Sequence, residues 1–172
     1  MTLPTYIITV TSKKLDFANM QPEQICLEDI ASALARTPRF AGHTRKAYSV
    51  AQHSALVAQL VPSGLRRQAL LHDATEAYMC DLPSPLKQFL PDYRAMEAKL
   101  WEVIANKFDV PVKMDQWVKD ADQEALRIEA HQLFADPDWC PLPVRNGVEL
   151  PSNLDYNTAL WKEWPGSSLW LK

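Results

Sequence analysis

The chain has 172 residues, 47% of them hydrophobic, which is enough to bury one core, so we expect a single globular domain over 1–172. Its formal charge is −3, and no cationic run is longer than Lys13-Lys14 or Arg66-Arg67, which argues against duplex nucleic acid as a partner. No apolar run approaches the ~20 residues that span a bilayer, and the N-terminus has no signal-like pattern, so we expect a cytoplasmic protein that does not enter a membrane.

The first elements in chain order are two short strands. Strand-forming residues in 6–10 and 14–17 flank a polar break, which predicts a short N-terminal β-hairpin. Five amphipathic segments follow, and their periodicity predicts helices over 27–36, 47–61, 65–79, 92–108 and 115–134. After Phe134 the sequence is rich in proline and tryptophan, so we expect an irregular tail that covers a core edge or a subunit contact. The predicted fold class is therefore mainly α.

Three of the predicted helices carry ionisable residues at positions where core residues are expected. His53 lies in the apolar stripe of the second helix, and Asp122 lies in that of the last. The inner face of the third helix carries His72, Asp73 and Glu76. Because a buried carboxylate without a partner destabilises a fold, a cation is expected beside them. Two imidazole nitrogens and two aspartate carboxylates suit one divalent metal ion, which can be Mn²⁺, Co²⁺, Zn²⁺, Fe²⁺ or Mg²⁺.

The order of these residues resembles a known signature. His53, His72-Asp73 and Asp122 form an H…HD…D pattern that resembles HD-domain metal-dependent phosphohydrolases. The stretches HDATE at 72–76 and DLPSPLK at 81–87 are similar to bacterial 5′-deoxynucleotidases and their phage relatives, which include dATP triphosphohydrolases. The stretches RFAGH at 39–43 and YSVAQHS at 48–54 are similar to the phage branch. The resemblance covers about 25–134 and implies an HD-domain helical bundle.

The resemblance also assigns catalytic roles. It implies that the metal ligands are His53, His72, Asp73 and Asp122, and that Glu76 and Asp81 flank the attacking water. Chemistry agrees with this assignment, because phosphate hydrolysis needs positive charge at the phosphoryl oxygens and a carboxylate that accepts a proton from water. The alternative roles are a salt-bridge carboxylate for Glu76 and a turn initiator for Asp81.

Further residues are implied to bind the substrate. Arg39 is expected to hold phosphate, and Phe40 stands where the bacterial deoxynucleotidases have a tryptophan. His43, in an Arg-Phe-x-Gly-His turn, is a further candidate for contacting phosphate. The segment after Asp81 matches a substrate-binding turn with a nearby lysine, which are here Leu82, Pro83, Ser84 and Lys87.

The function implied by the resemblance is hydrolysis of deoxynucleotides at the 5′ oxygen. We place deoxynucleoside monophosphates ahead, because the 81–87 segment is most similar to the monophosphatase turn, with triphosphate release from dNTPs as the alternative. A non-catalytic nucleotide-binding module, in which the metal only joins helices, is an alternative of another class. A di-iron oxygenase would need more histidines than the four in this chain. The tryptophan-rich tail and the family both favour a homo-oligomer.

Overall fold

The computed structural model describes residues 3–136, 138–140 and 147–165. It begins with an antiparallel hairpin of β1 (Tyr6–Ile8) and β2 (Lys14–Asp16), in which Tyr6 lies opposite Asp16 and Ile8 opposite Lys14. The predicted hairpin is thus confirmed. Leu15 of β2 is fully buried, which attaches the hairpin to the helical core.

The rest of the described chain is mainly helical, as the sequence predicts. Ser49 sets the start of α2, because its hydroxyl accepts the Gln52 amide while the Gln52 side chain accepts the amide of Ser49. Short 3₁₀ turns occur at Pro22–Gln24, Arg39–Gly42 and Ser63–Leu65. The helices are α1 (Leu27–Leu34), α2 (Val50–Leu60), α3 (Arg66–Leu71), α4 (Glu76–Met79), α5 (Ser84–Lys87), α6 (Pro91–Lys107), α7 (Gln116–Leu133) and α8 (Asn153–Glu163).

The predicted helix over 65–79 is not continuous. It ends as α3 at Leu71, and the chain turns before α4 starts at Glu76. The amide of Ala74 donates to the carbonyl of Leu71 (2.8 Å) and that of Glu76 to Asp73 (3.0 Å), so hydrogen bonds over three residues replace those of an α-helix. His72 and Asp73 therefore lie in a turn.

The tail after Phe134 was expected to be irregular, and this is wrong for α8. The helix starts with a capping box, in which the Ser152 hydroxyl accepts the Asp155 amide (3.2 Å) and the Asp155 carboxylate accepts the Ser152 amide (2.7 Å). Tyr156 and Leu160, one turn apart, are fully buried in the core. The surrounding prolines obscured this pattern. Pro141, Pro143 and Trp170 of the expected tail lie outside the described residues.

Helix α2 occupies the centre of the helical packing and contacts α1, α3, α7 and α8. Since neighbours surround it, even its polar residues His53 and Ser54 are fully buried. The turn after α3 and the middle of α7 approach it, which brings three separate segments of the chain to one place. Within the described ranges, no helix is long and apolar enough to cross a bilayer.

Candidate metal centre

Four nitrogen and oxygen atoms meet where α2, the turn after α3 and α7 come together. His53 Nε2 lies 3.3 Å from His72 Nε2, 3.5 Å from Asp73 Oδ2 and 3.0 Å from Asp122 Oδ1. His72 Nε2 lies 3.2 Å from Asp73 Oδ2 and 4.0 Å from Asp122 Oδ1. Ligands ~2.1 Å from one ion are ~3 Å apart at right angles and ~4 Å apart across the ion. The distances therefore match the ligand spacing around a single ion.

In both histidines the Nε2 atom faces the place where the four atoms meet, and the Nδ1 atom has a hydrogen-bond partner elsewhere. His72 Nδ1 lies 2.7 Å from the carbonyl of Ala69, which only accepts, so Nδ1 carries a hydrogen. His53 Nδ1 lies 2.6 Å from Glu129 Oε1, where a carboxylate accepts in the same way. In the neutral rings both Nε2 atoms are then lone-pair acceptors. They face each other and two carboxylate oxygens, an arrangement that only a proton or a metal cation makes favourable.

His53, His72 and Asp122 form a trio within this set. One ligand atom from each lies within 4.8 Å of the other two, and this buried to half-buried group can hold a metal ion. Asp73 lies outside that trio, although its Oδ2 atom is within 3.5 Å of both imidazole nitrogens. Its role as a fourth ligand stays a prediction. The donor set of nitrogen and oxygen does not select one first-row ion.

The charges of the centre shift the pKa values of its members. Burial opposes the protonation of His72, but Asp73 and Asp122 outweigh it and raise the pKa of His72 to about 9. Burial and Arg39 likewise oppose protonation of His53, whose pKa is nevertheless raised by Glu129 and Asp122. Burial alone would raise the pKa of Asp73 and Asp122, yet the neighbouring imidazoles hold both below the ordinary value. A metal ion held here would have to compete with protons.

Glu129 is a member of the site that the sequence prediction missed. It lies on α7 two turns after Asp122, is fully buried, and accepts from His53 Nδ1. A carboxylate in this position fixes the ring orientation of a ligating histidine and makes its other nitrogen more basic. The available signal was its spacing of seven residues from Asp122, which places both acids on one helix face.

Arg39 supplies a fixed positive charge beside the ligands. Its guanidinium lies 3.8 Å from Asp73, 3.9 Å from Asp122 and 3.6 Å from Glu129. Although burial disfavours the charged form, these carboxylates raise its pKa above the ordinary value, so it stays protonated. Among the described residues, Arg39 Nε has no hydrogen-bond partner, although it is buried. This Nε atom faces Glu129 Oε2 at 3.6 Å, slightly beyond hydrogen-bonding distance.

The residues after Arg39 are held in an unusual backbone conformation. Phe40 and Ala41 both have positive φ values, 55° and 51°, although neither is a glycine. Strain of this kind recurs at ligand-binding sites. Phe40 packs edge-on against Phe134 (5.1 Å between ring centroids) and Trp139 (6.4 Å), and the Trp139 side chain is half exposed. An aromatic surface thus lies next to Arg39.

Glu76 and Lys87 form a buried pair next to the ligands. Glu76 is 4% exposed, and its Oε1 atom accepts from Lys87 Nζ (3.3 Å), which also donates to Glu97 (2.8 Å). Burial and the negative charges of Asp73 and Asp81 raise the pKa of Glu76 to about 9, although Lys87 opposes this. Within the described chain, Glu76 Oε2 has no hydrogen-bond partner. The prediction did not include Glu97.

The remaining predicted residues are Asp81, expected to be catalytic, and the substrate-binding candidates His43, Leu82, Pro83 and Ser84. Asp81 follows Cys80, which has a positive φ of 67°. Burial raises the pKa of the Asp81 carboxyl, while the charges of Arg39 and Asp73 shift this pKa in opposite directions. His43 is exposed, and its side chain makes no hydrogen bond or ion pair within the described ranges. The predicted turn residues begin half-buried and end exposed at the start of α5, in the order Leu82, Pro83 and Ser84.

Comparison with known proteins gives relatives without a stated activity. No family model matches the chain. The uncharacterized protein YfdR of Escherichia coli is 43% identical over 144 residues, which cover 84% of this chain and 80% of that protein. The uncharacterized protein RCAP_rcc00048 of Rhodobacter capsulatus is 33% identical over 138 residues, covering 72% of this chain and 70% of that protein. Neither name adds to the chemistry of the site, so HD-domain membership stays a prediction.

Proposed function

The chain belongs to the family that includes the Escherichia coli protein YfdR, and we propose that it is a metal-dependent phosphohydrolase that removes the 5′ phosphate from deoxynucleoside monophosphates. The observation that carries this proposal is the convergence of four acceptor atoms beside the cation Arg39. A site that only joined helices would close its coordination with protein ligands and would not need the buried carboxyl of Glu76 alongside.

The chemistry of the side chains fits a bound metal ion. His53, His72 and Asp122 would hold it, with Asp73 as the proposed fourth ligand. When bound, a divalent ion supplies positive charge to phosphoryl oxygens and lowers the pKa of water. Arg39 then shares its charge between the carboxylates and the incoming phosphate.

We assign proton transfer to the two carboxyl groups beyond the ligands. Hydrolysis forms a bond between a water oxygen and phosphorus and breaks the bond from phosphorus to the 5′ oxygen, and the proton that the water releases is taken up by the leaving 5′ oxygen. Glu76 accepts the proton of the attacking water, with Asp81 as the second candidate. A divalent cation held nearby would lower the pKa of Glu76 from about 9, which favours the ionised form that accepts a proton.

The distribution of cations favours a monophosphate. Arg39 and Lys87 are the positive side chains that act on Asp81, because His53 is neutral when it holds a metal ion. Arg45 lies in the same turn as His43, but it is exposed and directs its guanidinium to the carbonyl of Gln132 (3.4 Å). A triphosphate carries about two more negative charges than a monophosphate, and each requires a cationic partner. Release of triphosphate from dNTPs is the second candidate.

We assign the base or sugar contact to the aromatic surface of Phe40, Phe134 and Trp139. A nucleobase stacks on exposed aromatic rings without strong base selectivity. The turn of Leu82, Pro83 and Ser84, which follows Asp81, is proposed to contact the substrate, as the resemblance implies.

The test is a panel of dNMPs, dNTPs and matching ribonucleotides assayed with Mn²⁺, Co²⁺ or Mg²⁺, with phosphate and triphosphate resolved as products. We expect phosphate from dNMPs and little turnover of ribonucleotides. Release of triphosphate from dATP without dNMP turnover would show that dNTPs are the substrates and would leave the proposed site unchanged. Binding of nucleotides without any product would instead favour the binding-module alternative, and oxygen consumption with two irons per chain would favour an oxygenase.

A further inference from the structure

A cavity of about 480 Å³ lies apart from the metal centre and shares none of its residues. Small-molecule sites have volumes of roughly 300–1,000 Å³, so the cavity is large enough for one ligand. Its walls come from the hairpin, the start of α1, the first turn of α3, and the ends of α6 and α8. Five separate parts of the fold thus meet at one concave surface.

The lining of this cavity is positively charged. Lys13, Arg67 and Lys107 line it, and no carboxylate belongs to the lining among the residues that the structure describes. Arg67 is partly neutralised, because its Nε lies 3.8 Å from the carboxylate of Glu163. Within the described chain, Lys107 forms no ion pair. The N-terminal end of α1 also borders the cavity at Leu27, and its partial positive charge is offset by Glu28 and Asp29 in the first turn. Such a concentration of cations in a chain of net charge −3 favours an anionic ligand.

The same cavity has an aromatic edge. Phe108 and Trp164 pack at 5.8 Å between ring centroids with an interplanar angle of 70°, and both line the cavity. The guanidinium of Arg67 lies 5.0 Å from the centre of the Trp164 ring. Cationic groups directly beside aromatic rings match a ligand that carries both phosphate and a planar base.

We propose that this cavity binds a nucleotide, independently of the metal centre. The phosphates lie against Lys13, Arg67 and Lys107, and the base lies against Phe108 and Trp164. Arg67 is in the first turn of α3 and His72 directly follows its last turn, so a ligand here contacts the helix that leads into the metal centre.

The test measures binding without catalysis, by calorimetric titration of dATP into the full chain in EDTA. All variants carry Asp122→Ala, which removes a proposed metal ligand. Additional substitutions in the cavity then show whether dATP binds in the cavity or at the metal centre. Arg67→Gln combined with Lys107→Gln should weaken dATP binding about tenfold or more, because two charge-assisted contacts are lost. The matched control is Arg66→Gln with Lys99→Gln, which removes the same charge from exposed positions on the same two helices outside the cavity and should leave binding unchanged.

The ligand chemistry is tested in a second arm. Deoxyadenosine and inorganic triphosphate should each bind about tenfold more weakly than dATP, since each lacks one half of the contacts. Trp164→Leu should weaken dATP but leave inorganic triphosphate unchanged. Absence of dATP binding at millimolar concentration, or equal weakening by the cavity pair and the control pair, would overturn the proposal. Failure of the phosphohydrolase proposal would change none of these readouts, because no product is measured.

Discussion

Asp29 and Glu129 are both buried carboxylates on helices, and they differ in what their neighbours donate. Asp29 on α1 is 2% exposed and accepts from the Thr11 amide (2.9 Å), the Thr11 hydroxyl (2.8 Å) and the Cys26 thiol (2.9 Å). All three donors are neutral, and together they satisfy both oxygens. Glu129 on α7 instead contacts His53 and Arg39, and its Oε2 atom has no hydrogen-bond partner among the described residues.

The difference separates a structural carboxylate from one that we propose to be functional. The Asp29 cluster is complete without any further group, because each acceptor meets a donor of the chain. In the metal centre, acceptors face acceptors, and protons or a cation must be added to make the arrangement favourable. Substitutions at the metal centre should therefore change ligand binding, whereas substitutions around Asp29 should change the free energy of unfolding alone.

The largest effect is expected from Asp122→Ala. Removal of this ligand should abolish metal binding and phosphate release together, and the melting temperature should no longer rise when metal is added. Metal analysis, turnover and thermal melts check this. Asp120→Ala is the matched control, because Asp120 lies on the same helix but is exposed and contacts Gln116. An active, metal-replete Asp122→Ala variant would contradict the placement of the site.

Glu76→Ala should separate catalysis from metal binding. Loss of a general base lowers the rate by roughly 10²–10⁴-fold, while the metal content should stay near that of the wild type. Steady-state kinetics together with metal analysis distinguish these two outcomes. Glu97→Gln, which removes a charge on the other side of Lys87, serves as the comparison and should lower the rate less. Wild-type turnover of Glu76→Ala would return Glu76 to a salt-bridge role.

Much of this centre could be predicted from the sequence. His53, His72 and Asp122 stand at helical core positions where ionisable groups are unfavourable, and that anomaly located the site. Periodicity placed Asp73 on the same inner face but did not show that it reaches the same ion as His72, because a continuous helix turns the two residues about 100° apart. The break after Leu71 removes this obstacle and depends on tertiary contacts.

Glu129 and α8 were missed for different physical reasons. A carboxylate that orients a ligating histidine has the same helical spacing as one that pairs with an arginine. Spacing alone therefore does not reveal the role of Glu129. Helix α8 has only two fully buried core residues, Tyr156 and Leu160, and prolines flank it in the sequence. This short apolar pattern did not predict a helix, although a capping box marks its start.

Glu129→Gln tests the role of the buried carboxylate behind His53. The substitution keeps the shape but removes the negative charge that favours the required ring tautomer. Loss of such an outer partner typically weakens metal binding by about 10–100-fold. A competition titration with a metal chelator measures the affinity, and a melt of the metal-free protein monitors folding. Unchanged metal affinity would mean that Glu129 only neutralises Arg39.

The smallest effect is expected at Asp29. Burial alone would raise the pKa of Asp29, but hydrogen bonds from Cys26, Thr11 and Thr9 hold it below the ordinary value of 3.8. A lowered folded-state pKa stabilises the fold above the unfolded-state pKa, and this contribution disappears as the pH falls through the folded-state value. Asp29→Asn should lower the free energy of unfolding by about 1–3 kcal/mol at pH 7.

Denaturant unfolding at several pH values tests this prediction. The difference between Asp29→Asn and the wild type should shrink as the pH approaches and passes below 3.8. Metal affinity should stay unchanged throughout at neutral pH. A loss of metal binding in Asp29→Asn, with the fold intact, would remove the contrast between the two carboxylates.

Calorimetric titration of the metal-free wild-type protein with Mn²⁺ or Zn²⁺ tests the central claim most directly. We predict one ion per chain, with release of protons, because the neighbouring acids raise the pKa of His53 and bring that of His72 to about 9, so that the ion displaces protons from the imidazoles. Repeating the titration in two buffers of different ionisation enthalpy measures that release. The absence of saturable binding, or binding of one ion without proton release, would contradict the account.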